Sequence, residues 1–127
     1  MPGCDIEALP AQHTVPALGY AVHGPQASWV FSGDTQACDA FWQHLKNLPR
    51  LRDLVIETSF DNSQETLAHL SQHFTPEQVT HHWQTYAPQT QLWISHLKAS
   101  YEPLIENNYQ HTQHTIQFLQ QGQTFSV

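Results

Sequence analysis

The chain has 127 residues, and its four Lys and Arg against eleven Asp and Glu give a formal net charge of −7. This length supports one domain over residues 1–127, and so few cations argue against a nucleic-acid partner because they cannot neutralise many phosphates. No apolar run approaches the roughly 18 residues of a membrane-spanning helix, so we expect no membrane partner.

Three strand-like segments open the chain. Residues 5–9 alternate polar and apolar side chains before Pro10 interrupts the pattern. Residues 18–23 and 28–32 are rich in β-forming residues, and Gly24-Pro25-Gln26 between them is typical of a turn. We therefore predict one strand followed by a hairpin.

Residues 36–48 change to a helical period. Their apolar positions fall on one stripe, which consists of Ala37, Phe41, Leu45 and Leu48. Asp34 or Thr35 lies where a side chain can cap the start of a helix, and Pro49 follows its end. We predict a helix whose apolar stripe faces the core.

Three further helices are predicted in the second half of the chain: residues 64–73, 76–86 and 102–110. In the first of them, Leu67 and Leu70 are expected to point inward. Thr75-Pro76-Glu77-Gln78 is a strong signal for the start of the second, with a capping Thr, a Pro in the first turn and a capping-box Gln.

Two short runs with apolar centres, residues 53–57 and 91–95, indicate buried strands. Residues 115–118 and 123–126, on either side of Gly122, predict a small terminal hairpin. Strands and helices thus alternate along the chain. This alternation predicts an α/β layered fold with one sheet flanked by helices.

Polar residues follow four predicted strands where each strand ends. His13 follows the first strand and Asp34 the third, Glu57 and Ser59 close the fourth, and His96 follows the fifth. In open α/β sheets, ligands bind beyond the carboxyl ends of the strands. We therefore expect these side chains to gather at one edge of the sheet.

The types of these residues suit a metal site. Asp34 follows Gly33 at a strand end, and its two carboxylate oxygens can each bind one cation, while His13 and His96 supply neutral nitrogen ligands for zinc or a related transition metal. The alternative is that Asp34 only caps the following helix and that each His is an ordinary polar residue.

Four short motifs in one order carry a resemblance: residues 13–20 (HTVPALGY), 31–35 (FSGDT), 56–60 (IETSF) and 94–98 (ISHLK). Together they resemble the C-terminal half of the metallo-β-lactamase superfamily, and most of all the class II 3′,5′-cyclic-nucleotide phosphodiesterases. The resemblance covers about residues 5–126. It implies half of an αββα sandwich, in which a mixed sheet is flanked by helices.

The resemblance also implies roles for three residues. His13 matches a histidine that binds one metal, Asp34 matches the aspartate that bridges both metals, and His96 matches a histidine that binds the second metal. Asp34 and His96 are also the candidate catalytic residues. The cofactor implied is a divalent metal, with zinc expected and manganese or iron as alternatives, at two ions per complete site.

Three more positions receive weaker assignments. Glu57 and Ser59 match a recurrent pattern at a strand end, where they are expected to be structural or to orient the metal ligands. Lys98 follows the last ligand and is placed to face a phosphate; the alternative is a solvated lysine.

The motif that defines the superfamily, His-x-His-x-Asp-His, is not found in the chain. The remaining histidine pairs do not fit it: His69 with His73, His81 with His82, and His111 with His114. They are interpreted as solvated surface residues, with adventitious metal binding as the alternative for the pairs at helical spacing. We therefore expect a fragment, a truncated gene product or one part of a split protein.

The function implied by the resemblance is hydrolysis of cyclic AMP or cyclic GMP by a metal-bound hydroxide. Three ligands are present where a two-metal site needs about five, so the chain alone is expected to be a poor or inactive enzyme. Self-association, or pairing with the missing N-terminal half, is expected because apolar strand faces would otherwise stay uncovered.

Two alternatives remain open at this point. One is a tRNA 3′-processing nuclease of the same superfamily, against which the charge of −7 argues. The other is a non-catalytic half-domain that pairs through its sheet.

Cys4 and Cys38 could form at most one disulfide and do not identify a compartment. The cytoplasm is the default, and the periplasm stays open if a signal belonged to the missing half.

Overall fold

The fold is built on one six-stranded mixed sheet, seen in a computed structural model that describes residues 3–112 and 115–127. The strands are β1 (Asp5–Pro10), β2 (Leu18–His23), β3 (Ser28–Phe31), β4 (Leu51–Glu57), β5 (Gln91–Ser95) and β6 (Ile116–Phe118). They lie in sequence order, with antiparallel pairing from β1 to β3 and parallel pairing from β3 to β6. The predicted α/β sheet is confirmed.

This pairing gives five strands the same direction. Since β1 and β3 are both antiparallel to β2, β1 runs in the direction of β3 and therefore in that of β4, β5 and β6. The carboxyl ends of these five strands lie at one edge of the sheet. We call it the carboxyl edge.

Four helices complete the fold: α1 (Asp39–Lys46), α2 (Glu65–Ser71), α3 (Pro76–Tyr86) and α4 (Glu102–Gln110). A 3-10 turn, Asn62–Gln64, leads into α2. The predicted bounds of α3 and α4 are confirmed, and α3 has the predicted capping box, in which the Gln78 amide oxygen accepts the Thr75 N–H at 3.1 Å. No helix within the described ranges is long and apolar enough to cross a bilayer.

Helices α1, α3 and α4 pack on one face of the sheet. Their apolar side chains form a single buried cluster with alternate strand residues, among them Val30, Leu54 and Leu92, which are neighbours across β3, β4 and β5. Tyr109 of α4 is tied to the end of β4 by a buried hydrogen bond of 2.6 Å between its hydroxyl and that of Thr58. Burial raises the pKa of the Tyr109 phenol.

The opposite face of the sheet is apolar over β1, β2 and β3. Because side chains alternate along a strand, eight uncharged residues point to this side: Ile6, Ala8, Pro10, Leu18, Tyr20, Val22, Trp29 and Phe31. We call these residues the open face. Over β3 to β5 the C-terminal segment crosses the same side, where the Phe125 ring packs 5.6 Å from that of Trp29 and 5.2 Å from that of Trp93.

The start of α1 differs from the prediction. The helix begins at Asp39 with Cys38 at its N-cap, no side chain caps it, and Ala37 is exposed. Neither Asp34 nor Thr35 is a helix cap, because the chain between them and α1 turns along the carboxyl edge before the helix starts. Cys4 and Cys38 are both free thiols.

Two other predictions were wrong. Leu67 and Leu70 of α2 are 44% and 71% exposed, because this short helix turns the small Ala68 inward instead. The terminal hairpin is absent among the described residues. Ile116–Phe118 pairs in parallel with β5, and residues 123–126 form no strand.

Candidate metal centre

The carboxyl edge brings the predicted site residues together. His13 lies in the segment after β1, Asp34 after β3, and His96 directly after β5, while Glu57 ends β4. The strands that lead to them run in one direction, so their ends meet although the residues are far apart in the sequence. Residues from four separate strand ends thereby share one small region.

Asp34 lies between the two predicted histidine ligands. Its Oδ1 is 3.4 Å from Nε2 of His96, and its Oδ2 is 4.0 Å from Nε2 of His13. Each carboxylate oxygen therefore faces a different imidazole. The predicted convergence of the three residues is observed, whereas their role as metal ligands stays a prediction.

A hydrogen bond fixes the ring of His13. Its Nδ1 lies 3.0 Å from the main-chain carbonyl oxygen of Gln72, which can only accept, so Nδ1 donates. The lone pair of the neutral ring is then on Nε2, the nitrogen that faces Asp34. Gln72 has a left-handed backbone conformation (φ 57°) at the C-cap of α2, and this turn positions its carbonyl group.

The backbone that carries Asp34 requires glycine at the preceding position. Gly33 has φ 64°, and a Cβ there would lie 2.7 Å from the carbonyl oxygen of Leu18. A side chain would therefore meet both backbone strain and a clash with β2. His96 is itself left-handed, with φ 62°, a conformation that histidine tolerates better than most residues.

Glu57 is a buried acceptor beneath the edge. Its Oε1 accepts the N–H of Thr35 at 3.0 Å and lies 2.6 Å from Nδ1 of His73. Its Oε2 accepts the hydroxyl of Ser59 at 3.2 Å and the N–H of Phe74 at 3.5 Å. Ser59 Oγ also lies 3.2 Å from the carbonyl oxygen of His96. Glu57 and Ser59 thus connect the segments that hold Asp34, His73 and His96.

His73 was not predicted to belong to this region. It is 8% exposed rather than solvated, and its ring centroid lies 4.7 Å from that of His13 and 5.6 Å from that of His96, stacked on the latter. The sequence contains no local signal for this placement. One hint is that His73 lies just before Thr75-Pro76, the predicted start of α3, where the chain must turn back towards the sheet.

Lys98 lies over an aromatic ring. Its Nζ is 5.4 Å from the centroid of Phe60, at the rim of the carboxyl edge, and its side chain is exposed. It is the one cation of the 94–98 segment. Whether it contacts a phosphate stays a prediction.

The other histidine pairs lie elsewhere. His69, His81 and His111 are exposed, as expected, whereas the ring of His82 packs 5.4 Å from that of Trp42 in the helical layer. His114 lies outside the described residues.

The described residues do not complete a metal site by themselves. Over residues 3–112 and 115–127, no group of three or more His, Cys, Asp or Glu side chains is arranged to hold a metal ion. Asp34 with His13 and Asp34 with His96 are two ligand pairs that share one carboxylate. The donor atoms have the right chemistry, but each of the two positions has only two of them.

Comparisons with known proteins agree with this geometry at the level of the fold. No protein-family model matches the chain, and no curated protein matches it in sequence. Solved structures do match: the metallo-β-lactamase fold protein YhfI from Bacillus subtilis (TM-score 0.79, 12% identity), human tRNase Z, short form (0.66, 18%), and yeast PDE1 (0.65, 14%).

The chain spans half or less of each of these three structures. The region aligned with YhfI covers 98% of this chain and 50% of YhfI. The region aligned with human tRNase Z covers 79% of this chain and 38% of that protein, and the region aligned with yeast PDE1 covers 85% of this chain and 39% of that protein. The chain therefore has the fold of one half of a metallo-β-lactamase-like structure. At these identities the likeness establishes the fold and leaves activity to be argued from the site.

Proposed function

We propose that the chain contributes part of the two-metal centre of a metal-dependent hydrolase that cleaves the phosphodiester bond of a 3′,5′-cyclic nucleotide. One observation carries the proposal: the two oxygens of Asp34 face Nε2 of His13 and Nε2 of His96 separately. A carboxylate placed in this way is suited to bridging two ions.

The distances from the Asp34 oxygens to the two histidine nitrogens fit ligands that share a metal ion better than they fit direct hydrogen bonds. Zinc binds imidazole and carboxylate at about 2.0–2.2 Å, so two ligands of one tetrahedral ion lie about 3.3 Å apart. The separation of 3.4 Å between Asp34 and His96 is close to this value, and 4.0 Å between Asp34 and His13 is somewhat larger. Both exceed the usual length of a charged N–H···O hydrogen bond.

When bound, two metal ions supply an activated hydroxide and polarise the phosphoryl oxygen. The residues of this chain have distinct parts in preparing the site. His13 is oriented by the Gln72 carbonyl group, which keeps its Nε2 lone pair towards Asp34. Glu57 fixes the segment that carries Asp34 through the N–H of Thr35. Such supporting hydrogen bonds are typical of metal ligands.

His73 adds a proton carrier to this edge. Its Nδ1 lies 2.6 Å from Glu57 Oε1, a carboxylate oxygen that accepts, so the ring holds a proton at Nδ1. Nε2 is then the nitrogen that can take up or return a proton. A buried imidazole held in this way beside the two ligand histidines is suited to general acid–base work.

The choice of substrate rests on the sequence motifs and on charge. The resemblance of the four motifs to class II cyclic-nucleotide phosphodiesterases favours a small cyclic substrate, and the net charge of −7 disfavours a long polyanion. The match to human tRNase Z keeps an RNA 3′-processing activity as the second candidate. Lys98 at the rim is the cation available to a phosphate in either case.

The test is metal binding and hydrolysis by the purified chain. Zn²⁺ and Mn²⁺ affinities are measured by competition with a chromogenic chelator, and cyclic AMP and a precursor tRNA are offered as substrates. We expect metal-dependent and slow cyclic AMP hydrolysis. Asp34→Ala should lose both metal binding and turnover, whereas His81→Ala, which removes an exposed histidine outside the site, should keep both.

Three results would change the assignment. Cleavage of the tRNA but not of cyclic AMP would favour the nuclease. Metal binding without turnover on either substrate would favour a non-catalytic half-domain. Equal metal affinity in the wild type and Asp34→Ala would contradict the site itself.

A further inference from the structure

A chain of hydrogen-bonding groups lies away from the carboxyl edge, where His23 ends β2 and Ser28 begins β3. Nε2 of His23 is 2.9 Å from Oε2 of Glu7, and Nδ1 of His23 is 3.0 Å from Oγ of Ser28. The Ser28 oxygen in turn lies 2.9 Å from the main-chain carbonyl oxygen of Pro49. Three contacts thus connect β1, β2, β3 and the turn between α1 and β4.

Each of these three contacts needs one hydrogen. An ionised carboxylate and a carbonyl oxygen only accept, so Nε2 of His23 must donate to Glu7 and the Ser28 hydroxyl must donate to Pro49. A hydroxyl group has a single hydrogen, so the Ser28 oxygen must accept from Nδ1 of His23. Both ring nitrogens therefore donate, which only an imidazolium can do.

A neutral His23 leaves one contact without a hydrogen. If the ring keeps its proton on Nε2, the Ser28 hydroxyl must turn from Pro49 towards Nδ1, and two oxygens then face each other at 2.9 Å. If the ring keeps its proton on Nδ1, a nitrogen lone pair faces the Glu7 carboxylate at 2.9 Å. Either neutral form therefore replaces one attraction with a repulsion between lone pairs.

The third hydrogen belongs to the imidazole rather than to the carboxylate. An ordinary histidine gives up its second proton about two pH units above an ordinary glutamate. The hydrogen bond from His23, followed by the charge and hydrogen bond of His44, lowers the pKa of Glu7 further. A neutral His44 already supplies the one hydrogen that its contact with Oε1 of Glu7 needs.

We propose that His23 is an imidazolium in the folded protein at neutral pH, and that Glu7, His23, Ser28 and Pro49 form a pH-sensitive clamp between the sheet and the turn after α1. The clamp is closed when its three hydrogens are present. It loses one contact when His23 releases a proton to water, which reaches the ring because the side chain is 20% exposed. This inference does not rest on the proposed function.

The clamp holds a turn with an unfavourable backbone. Arg50, directly before β4, is left-handed with φ 55°, a conformation that disfavours residues with a side chain. Ser28 binds this turn twice, because its hydroxyl donates to the Pro49 carbonyl group and its N–H donates to the Arg50 carbonyl oxygen at 2.8 Å. Loss of the hydroxyl contact therefore loosens the connection from α1 to β4.

The other ionisable side chains on β1, β2, α1 and the following turn are Asp5, Tyr20, Asp39, His44, Lys46 and Arg50. Asp5 lies opposite His23 in the strand pairing, and its negative charge favours the imidazolium. Lys46 and Arg50 oppose it, but both are exposed and screened by water. Within residues 3–112 and 115–127, the hydrogen bonds and ion pairs of the His23 ring are with Glu7 and Ser28 alone.

The direct test is the protonation state of His23 in the unmutated, full 127-residue chain. Histidine is labelled with ¹⁵N, and long-range ¹H–¹⁵N correlation spectra are recorded at about pH 7.5, where an ordinary imidazole is roughly nine-tenths neutral. We expect both nitrogens of His23 to carry hydrogen, whereas the exposed His81 is mainly neutral. A His23 ring with a single hydrogen at this pH overturns the proposal.

Ser28→Ala tests the hydrogen count. Without the hydroxyl group, the contact with Glu7 is the one that remains for the ring, and a neutral His23 with its proton on Nε2 satisfies it. We expect the doubly protonated fraction of His23 to fall several-fold at about pH 7.5. An unchanged fraction would overturn the clamp, because Ser28 and Pro49 would then have no part in holding the proton.

Urea unfolding gives the energetic readout. Because the folded state holds the second proton of His23, the contribution of the clamp is fully present below about pH 6.5, the ordinary titration point of histidine, and is lost as the pH rises. We expect the urea midpoint of the wild type to fall between about pH 6 and about pH 9, and His23→Gln to remove most of that fall.

The matched control is His81→Gln, which changes an exposed histidine on α3 and should keep the fall of the wild type. Far-UV circular dichroism checks that each variant is folded, and the spectra of the unmutated chain decide the protonation state whether or not a variant folds. An equal fall in the wild type and in His23→Gln overturns the clamp.

Discussion

The carboxylate oxygen Oε1 of Glu57 accepts the main-chain N–H of Thr35 at 3.0 Å, across 22 residues of sequence. Thr35 directly follows Asp34, so the buried end of β4 fixes the segment that carries the central candidate ligand. The same oxygen lies 2.6 Å from Nδ1 of His73. One buried side chain therefore positions both the segment that carries Asp34 and the ring of His73.

We predict that Glu57→Ala lowers the free energy of unfolding by about 3–5 kcal/mol, because it leaves the His73 imidazole and the Thr35 N–H buried without their acceptor. Glu57→Gln keeps one acceptor oxygen and should cost less. Urea denaturation in the presence of chelator measures both. A loss below about 1 kcal/mol for Glu57→Ala would mean that water or another group replaces the carboxylate.

We predict that Asp34→Ala changes the free energy of unfolding by no more than about 0.5 kcal/mol in the absence of metal. Its side chain is 42% exposed, and its imidazole neighbours lie at 3.4 and 4.0 Å, beyond strong hydrogen bonds. The comparison is Thr75→Ala, which removes a capping-box residue and should cost about 1 kcal/mol. Equal losses in the two variants would restore the interpretation of Asp34 as a cap.

The sequence predicted the strands and the carboxyl edge because both depend on local patterns. Residues 53–57 and 91–95 show their burial in their own composition, and polar residues at strand ends need only the common strand direction to meet. The four motifs then selected His13, Asp34 and His96. The geometric part of the site was therefore accessible before the fold was known.

The failures concern side chains whose surroundings come from distant segments. Leu67 and Leu70 have the spacing of a buried stripe, but α2 has seven residues and makes its close approach through Ala68. His73 is buried among the rings of His13, Phe60 and His96, and its acceptor is Glu57, 16 residues earlier in the sequence. Neither outcome can be read from the residues next to them in sequence.

We predict that Gly33→Ala destabilises the fold by more than about 2 kcal/mol, because it adds a Cβ at 2.7 Å from the Leu18 carbonyl oxygen to a residue with φ 64°. The matched control is Gly122→Ala. Gly122 has φ 84°, but no atom lies within 4 Å of the position that its Cβ would take, so this change should cost only the backbone strain, about 1 kcal/mol. Thermal and urea unfolding measure the difference, and equal losses would show that β2 moves away without cost.

The last prediction concerns pH and the contact between β1 and α1. Glu7 of β1 contacts two histidines. Its Oε2 is 2.9 Å from Nε2 of His23 on β2, and its Oε1 is 2.5 Å from Nε2 of His44 on α1. The hydrogen bond from His23, followed by the charge and hydrogen bond of His44, holds the pKa of Glu7 below its ordinary value of 4.5. Glu7 therefore stabilises the folded state when it is ionised.

Because the folded pKa of Glu7 is lowered, its contribution is fully present above pH 4.5 and is lost as the pH falls through the folded pKa. Glu7→Gln should lower the free energy of unfolding by up to about 1 kcal/mol at about pH 6, since the carboxylate is partly exposed and screened by water. The difference from the wild type should shrink as the pH falls through the lowered pKa of Glu7. Asp5→Asn, which changes an exposed carboxylate on the same strand, is the control and should show no such pH-dependent difference. A Glu7→Gln effect that grows towards low pH would mean that the carboxylate destabilises the contact and that His23 and His44 do not hold its charge.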